Sequence, residues 1–388
     1  MRRRDREWDV GNEESTALIH LLDKRVVTIG GGTGPFGVLS SLKHYPCQIT
    51  AIVTMVDSGG SSRRLSDEFG QLPFGDLRQA LVALSRKGAL WRDVFNHRFR
   101  KTRRRKPGDS GPFTEEHGDS GSVTGHSLGN LILSALQDIN EDNLLWAIED
   151  VQDLLETAGQ VLPVTLAHAT LCAELADGAV LRGETVIDTR GERHLAALAA
   201  ARPAAEKASE KAEEHTPPAI PALPAIARVY LEPAAPACAE ALRAIRRADV
   251  LVLGPGDLYT SILPNLLVEG VAEAIRASEA QTVYVCNLMT KHGETDGFRA
   301  SDFVRTVHTY LGDRVDRVIL HDGSFPPHLL GLYAAQAQHP VEADGAAVRQ
   351  LVPEVSVAPL LAIHQETLVR HDADRLVRAI FDPSEVLL

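Results

Sequence analysis

Cysteine is scarce in this chain. The four that occur, Cys47, Cys172, Cys238 and Cys286, stand far apart and form no CxxC pair. That spacing argues against a disulfide framework and against structural zinc, and it suits a reducing compartment. Long apolar runs are lacking too, because no stretch reaches the roughly 18 residues needed to cross a bilayer. Positive charge is in deficit, with 40 Lys and Arg against 52 Asp and Glu and a net charge of −12. Bulk binding to nucleic acid needs the opposite balance, to displace counterions. Aromatic residues make up 5% of the chain, which leaves Phe36, Phe74 and Tyr259 as the few candidates for stacking on a base. The opening MRRRDREWDVGNEEST mixes acidic with basic residues and leads into no apolar segment, unlike a secretory signal. These absences lead to the expectation of a cytoplasmic protein with no nucleic-acid partner and no membrane span.

What is present is material for a large core. The 388 residues are 44% hydrophobic and 24% charged, as in ordinary globular proteins. Near-continuous apolar runs recur at RVVTI (25–29), QITAIVTMV (48–56), DVLVLG (249–254), TVYVCNLM (282–289) and RVILHD (317–322). Runs of that kind suit strands buried on both faces of a parallel sheet. Each is followed by a turn and a helical pattern, so the expected fold is α/β, Rossmann-like and doubly wound, with a mainly parallel sheet. Asp177-Gly178 lies between two alternating runs and marks a small β-hairpin appendage. The expected organisation is a flexible tail over 1–24 and one domain over 25–388. Two inserts interrupt that domain: a basic loop at 98–122, and an Ala- and Pro-rich segment at 195–226 that reads as flexible or partly helical.

Three glycine loops carry the functional signal. The first, GGGTGPFG (30–37), follows a strand and contains G-x-G-x-x-G at Gly32, Gly34 and Gly37. With Asp57 ending the next strand, it fits a dinucleotide fold and an NAD-dependent oxidoreductase. The second loop, Ser58-Gly59-Gly60-Ser61-Ser62, is more than a ribose contact requires and suggests a further anion-binding turn. The third, GPGDLYTS, places Gly254 and Gly256 before a helix that Asp257 is expected to cap, with Tyr259, Thr260 and Ser261 in its first turn. Such loops at the carboxyl ends of parallel strands would share one crevice, suited to a phosphorylated ligand. None ends in the Gly-Lys-Ser/Thr of a P-loop. Gly125-His126-Ser127-Leu128-Gly129 matches the hydrolase elbow, but the polar stretch GDSGSVT stands where a strand is required. Ser127 is therefore read as part of a helix N-terminus, with Asn130 turned toward a ligand. Six of the histidines, His44, His97, His126, His168, His292 and His321, show no metal-ligand spacing, and Glu294 and Asp296 read as part of a turn.

IGGGTG, ITAIVTMVDSGGSS, LPFGDLRQALVALS, GHSLGNLILSAL, VLGPGDLYTSILPNLLV, NLMTKHGETDGFRASD and HDADRLVRAI occur in this order. Together they resemble the YvcK family, whose fold is shared with the phospholactyl transferase CofD. The resemblance runs from about residue 25 to 382. It implies a Rossmann-like core that binds a nucleotide sugar, with UDP-N-acetylglucosamine first, in a regulator of central carbon metabolism and cell-envelope synthesis. The alternative it carries is a magnesium-dependent transfer of a phospholactyl group from a guanosine diphosphate donor to a deazaflavin alcohol. By the resemblance, Thr33 and Asn265 contact the ligand, and Gly31, Gly32, Gly34, Asp57, Gly59, Gly60, Ser61 and Asp76 surround it. Asn287 and Thr290 join them from a further strand end.

One departure from the family pattern bears on chemistry. Ser58 stands where the family usually has a second aspartate. Magnesium prefers several hard oxygen ligands, so Asp57, alone or with Asp76, makes a weaker metal site. If transfer occurs, Asp57 or Asp76 is the candidate base, although Asp76 also suits a helix cap. The nucleotide base, the oligomeric state (a homo-oligomer included) and the protein partners stay open at this point.

Overall fold

The structure is a computed structural model that describes residues 23–32, 34–56, 72–99, 125–206 and 220–381. The chain first passes through β1 (Arg25–Gly30), β2 (Gln48–Val53) and β3 (Gly159–Pro163). Next come β4 (Thr170–Leu175), β5 (Val180–Arg182) and β6 (Ile226–Glu232). The remaining strands are β7 (Val250–Leu253), β8 (Gln281–Val285), β9 (Arg317–His321), β10 (Glu354–Ala358), β11 (Leu361–His364) and β12 (Leu368–His371). Seven of these form one sheet in the order β10-β9-β8-β7-β1-β2-β3, and every pairing in it is parallel. This is the α/β doubly wound fold expected from the apolar runs. No described helix is long and apolar enough to cross a membrane.

The order of strands follows from burial. Val26, Ile29, Leu251, Val252, Leu253, Val283 and Val285 are buried, and strands apolar on both faces need helices on both faces. The helices Gly34–Leu42, Gly75–Leu84 and Ala373–Phe381 pack together, as do Ala239–Arg247, Val271–Ala277 and Ala300–Leu311. Right-handed crossovers that run outward from β1 in one direction and from β7 in the other put these two groups on opposite faces. In Ala300–Leu311 the buried positions Ala300, Phe303, Val304, Val307 and Leu311 recur at the spacing of one helical stripe.

Several boundaries differ from the sequence reading. The strand expected over 48–56 leaves the ladder at Val53, and that over 282–289 stops at Val285, close to where their neighbours β1 and β7 also end. β3 was hidden because its five residues, GQVLP, start and end in glycine and proline. The Asp177-Gly178 hairpin is present, joining β4 and β5, with Gly178 at φ 86°. It does not stand alone, since β6 arrives from beyond the 195–226 insert and pairs with β4 to make a three-stranded appendage. That insert is helical through Glu206 as part of Arg190–Glu206, and 207–219 lies outside the described residues. Of the expected tail over 1–24 only Asp23 and Lys24 are described; the amide of Asp23 bonds the Pro46 carbonyl and that of Gln48 the Lys24 carbonyl. Of the basic loop, only Arg98 and Phe99 are described; they pair with Ser127, His126 and Gly125.

Burial separates two leucine substitutions. Leu251 in β7 is 0% exposed, whereas Leu90 is 72% exposed. Leu251→Ala is expected to lower unfolding stability by about 2–5 kcal/mol, and Leu90→Ala to stay within about 0.5 kcal/mol. Urea denaturation of both variants measures the contrast.

Candidate functional site

Strand order reverses between β1 and β7, the place where an open α/β sheet leaves a crevice beyond its carboxyl ends. A cavity of about 280 Å³ opens there. One wall is backbone: Gly31, Gly32 and Gly34 after β1, and Pro255, Gly256, Asp257 and Ser261 after β7. The floor comes from the exit of β8, Asn287 to Lys291, and the opposite wall from Tyr333, Gln338, Val369, Arg370 and His371. The two glycine loops are pressed together. A Cβ at Gly34 would lie 2.1 Å from the Pro255 carbonyl oxygen, a separation that only a glycine permits.

The residues expected at the site separate into groups. Gly31, Gly32, Gly34, Gly256, Asn287 and Thr290 line the cavity together. Asn287 bridges two strand ends by donating Nδ2 to the Gly256 carbonyl at 2.8 Å, and among the described residues its buried Oδ1 has no partner. The Thr290 hydroxyl accepts from the His339 amide at 2.9 Å. Gly254 sits just beneath, with its amide on the Ile29 carbonyl. Asn265 is one layer deeper and donates to the Ser261 carbonyl at 2.8 Å, holding the turn whose serine faces the cavity. Thr33, Asp57, Gly59, Gly60 and Ser61 lie outside the described residues.

Tyr259 is turned away from the cavity. It is buried and hydrogen-bonded to Thr306, and burial pushes its phenol up to about 12. Asn130 is likewise not a cavity residue, because its Oδ1 accepts from buried Arg78 at 3.0 Å. Ser127 is the N-cap of Leu128–Ile139 and its hydroxyl accepts from the Asn130 amide, which confirms a structural role for the elbow-like motif. Asp76 is not a cap: Phe74 holds that position, and Asp76 occupies the first turn of Gly75–Leu84. Its Oδ2 lies 2.5 Å from where a Gly31 Cβ would sit, directly under the first loop. Asp257 stands at an N-cap position but makes no capping bond. The expected helix after it opens as a π-helical turn, Leu258–Ile262, and continues as the α-helix Leu263–Leu266. Among the described residues no three His, Cys, Asp or Glu side chains converge as metal ligands. Asp57, the expected magnesium ligand, lies outside the described residues, and Asp76 by itself offers fewer oxygens than magnesium takes.

The profile of the family described as 2-phospho-L-lactate transferase CofD matches residues 26–361 of this chain. The chain belongs to the CofD family. Within it, the chain is 36% identical to the gluconeogenesis factor of Halalkalibacterium halodurans, across 92% of this chain and 96% of that one. It is 34% identical to the gluconeogenesis factor of Bacillus subtilis, across 92% and 97%. A crystal structure of a Bacillus halodurans protein superposes with a TM-score of 0.76 at 35% identity, covering 93% of this chain and all of the other. These relatives put the chain among the YvcK-type members of the family.

Charge in this CofD-family crevice is arranged by Lys291, Asp188, Arg370 and His371, which the sequence reading did not single out, with Asp257 and Glu294, which it read as a cap and as part of a turn. Lys291 lines the cavity, and its ammonium meets Asp257 at 2.8 Å, Glu294 at 2.9 Å and also Asp188. Burial opposes the lysine charge, but Glu294, Asp257 and Asp188 together outweigh it and hold Lys291 above the usual lysine range. Glu294, with a side chain 1% exposed, is pushed up to about 8 by burial, Lys291 opposing. Arg370 has no such company. Among the described residues its guanidinium reaches only the Val369 carbonyl, at 3.0 Å, so it is a cation available to an anionic ligand. His371 donates Nε2–H to the Cys286 carbonyl at 3.1 Å. The residue is half-buried overall, yet enclosure of its ring pushes the imidazole down to about 4.

Two measurements follow from this geometry. Gly34→Ala forces a methyl onto the Pro255 carbonyl and is expected to cost about 1–3 kcal/mol as overpacking. Gly331→Ala, on a helix with nothing within 4 Å of the new methyl, is expected to be neutral or slightly stabilising in the same urea titration. The folded value of His371 lies below its unfolded value of 6.5. The stability tied to its neutral form is therefore complete above pH 6.5 and is lost as pH falls toward 4. His371→Gln is expected to flatten that part of the pH–stability curve relative to wild type.

Proposed function

We propose that the crevice binds a nucleotide sugar, UDP-N-acetylglucosamine first among them, and that the protein acts in the cytoplasm as a ligand-responsive regulator of central carbon metabolism and cell-envelope synthesis. The observation that carries this reading is the pairing of a glycine-loop wall with an available cation. Backbone of Gly31–Gly34 and Gly254–Gly256 can approach a diphosphate closely, and Arg370 faces it from the hairpin β11–β12. Tyr333, Leu288 and Val369 add apolar surface for the rest of such a ligand. The gluconeogenesis-factor names of the relatives support a role in carbon metabolism.

A second reading, phospholactyl-type transfer from a guanosine diphosphate donor, is supported by the family description and by Asp76 under the first loop. Differential scanning fluorimetry separates the two. A ligand at about 100 times its Kd adds about 2.7 kcal/mol, a rise of a few degrees in Tm. The expected result is a rise with UDP-N-acetylglucosamine, and none with NAD or with GDP plus magnesium. A rise with GDP and magnesium alone would replace the regulator reading by the transferase. Arg370→Ala removes a charge-assisted contact of about 1.5–3 kcal/mol and is expected to weaken UDP-N-acetylglucosamine binding about 10- to 100-fold by calorimetry.

A further inference from the structure

Lys291 belongs to two places at once. It lines the cavity, and its ammonium bonds Asp257 of the third glycine loop. The same ammonium reaches Asp188, the last residue of the short helix Glu184–Asp188, which packs on β4 and β5 of the appendage. That helix also packs against the Leu258–Ile262 turn that follows Asp257. A contiguous path therefore runs from the phosphate wall to the appendage, with one lysine at its centre.

The three carboxylates on Lys291 are not equivalent. The Glu294 side chain is 1% exposed, that of Asp188 is 34% exposed, and that of Asp257 is 44% exposed. An anion entering the crevice repels Asp257 and attracts Lys291. If Lys291 turns toward that anion, it must loosen one of its existing bonds. Leaving Glu294 unpaired would force a carboxyl group with no access to water either to stay charged or to take up a proton, the most expensive choice. Asp257 lines the crevice, so Lys291 turned toward an anion there stays beside it, whereas Asp188 is not a lining residue and is exposed enough for water to take it up; Asp188 is therefore the partner left behind. The helix that carries it is five residues long with only Ile187 fully buried, so the Lys291–Asp188 pair is a substantial part of what ties it to the crevice.

We propose that Lys291 is a ligand-sensing latch: an anionic group bound in the crevice draws its ammonium off Asp188 and frees the Glu184–Asp188 helix of the appendage. This rests on the nucleotide-sugar reading for the identity of the anion. It makes the appendage the element whose surface changes with ligand occupancy. Because coupling is reciprocal, the ligand-free latch must also oppose binding.

That reciprocity yields a test in which a purely structural tether and a latch give different results. A tether predicts that Asp188→Asn loosens the site and weakens the ligand, or leaves it unchanged. The latch predicts that Asp188→Asn tightens UDP-N-acetylglucosamine by about fivefold or more, since the competing carboxylate is gone. Calorimetry on the full-length protein measures this, with hydrogen–deuterium exchange as the second readout. In wild type, ligand is expected to speed exchange across residues 183–190 while slowing it in the glycine loops. In Asp188→Asn, exchange at 183–190 is expected to be fast already and insensitive to ligand. Lys291→Met is expected to show the same fast exchange together with weaker binding. Wild-type binding with no change at 183–190, or unchanged or weaker binding by a folded Asp188→Asn, overturns the latch and leaves the nucleotide-sugar reading intact. Absence of any binding to wild type overturns both.

Discussion

The close approach of two backbones at the switch point governs the rest of this molecule. Gly34 meets the Pro255 carbonyl where no side chain fits, and the Gly31 carbonyl lies near Gly256. That approach requires β1 and β7 to be neighbours in parallel register, Val26 against Val250 through Ile29 against Leu253. It also requires the helix Gly34–Leu42 to start immediately at the loop. Strand order, helix placement and cavity shape are therefore consequences of one steric constraint. The backbone N–H groups of such loops are what a phosphate needs.

Electrostatics give the crevice two unlike sides. Lys291 is committed to Asp188, Asp257 and Glu294, so its charge is largely cancelled before any ligand arrives. Arg370 is held in place by a backbone carbonyl and keeps its charge available. His371 stays neutral near pH 7 because its enclosed ring disfavours the proton. Among the described residues, the site therefore has one uncommitted cation on the hairpin wall and a lysine held by three carboxyl groups.

Much of the first wall was legible in the sequence. Gly31, Gly32, Gly34 and Gly256 are recognisable from their place after apolar runs, and Asn287 and Thr290 from their place at a strand end. Tyr259 and Asn130 show the limit of that logic. A residue's position in a motif does not say which way it points, and both are turned into packing around Thr306 and Arg78. Asp76 and Asp257 illustrate the same limit for helix caps. Each stands near a helix start without being its side-chain cap: Asp76 lies under the first loop and Asp257 pairs with Lys291.

By itself the sequence determined the doubly wound α/β class, the strands nearest the site and the glycine loops, because these depend on short-range patterns of burial and backbone freedom. Only the tertiary structure decided what faces those loops. β11 and β12 are short and partly exposed, carry no strong periodicity, and reach the crevice only after the whole sheet is in place. The union of Lys291 with Asp188 spans 103 residues, and nothing local to either side chain marks the other as its partner. The glycine loops are written in consecutive residues, whereas the charged groups around the crevice are brought together by long-range packing.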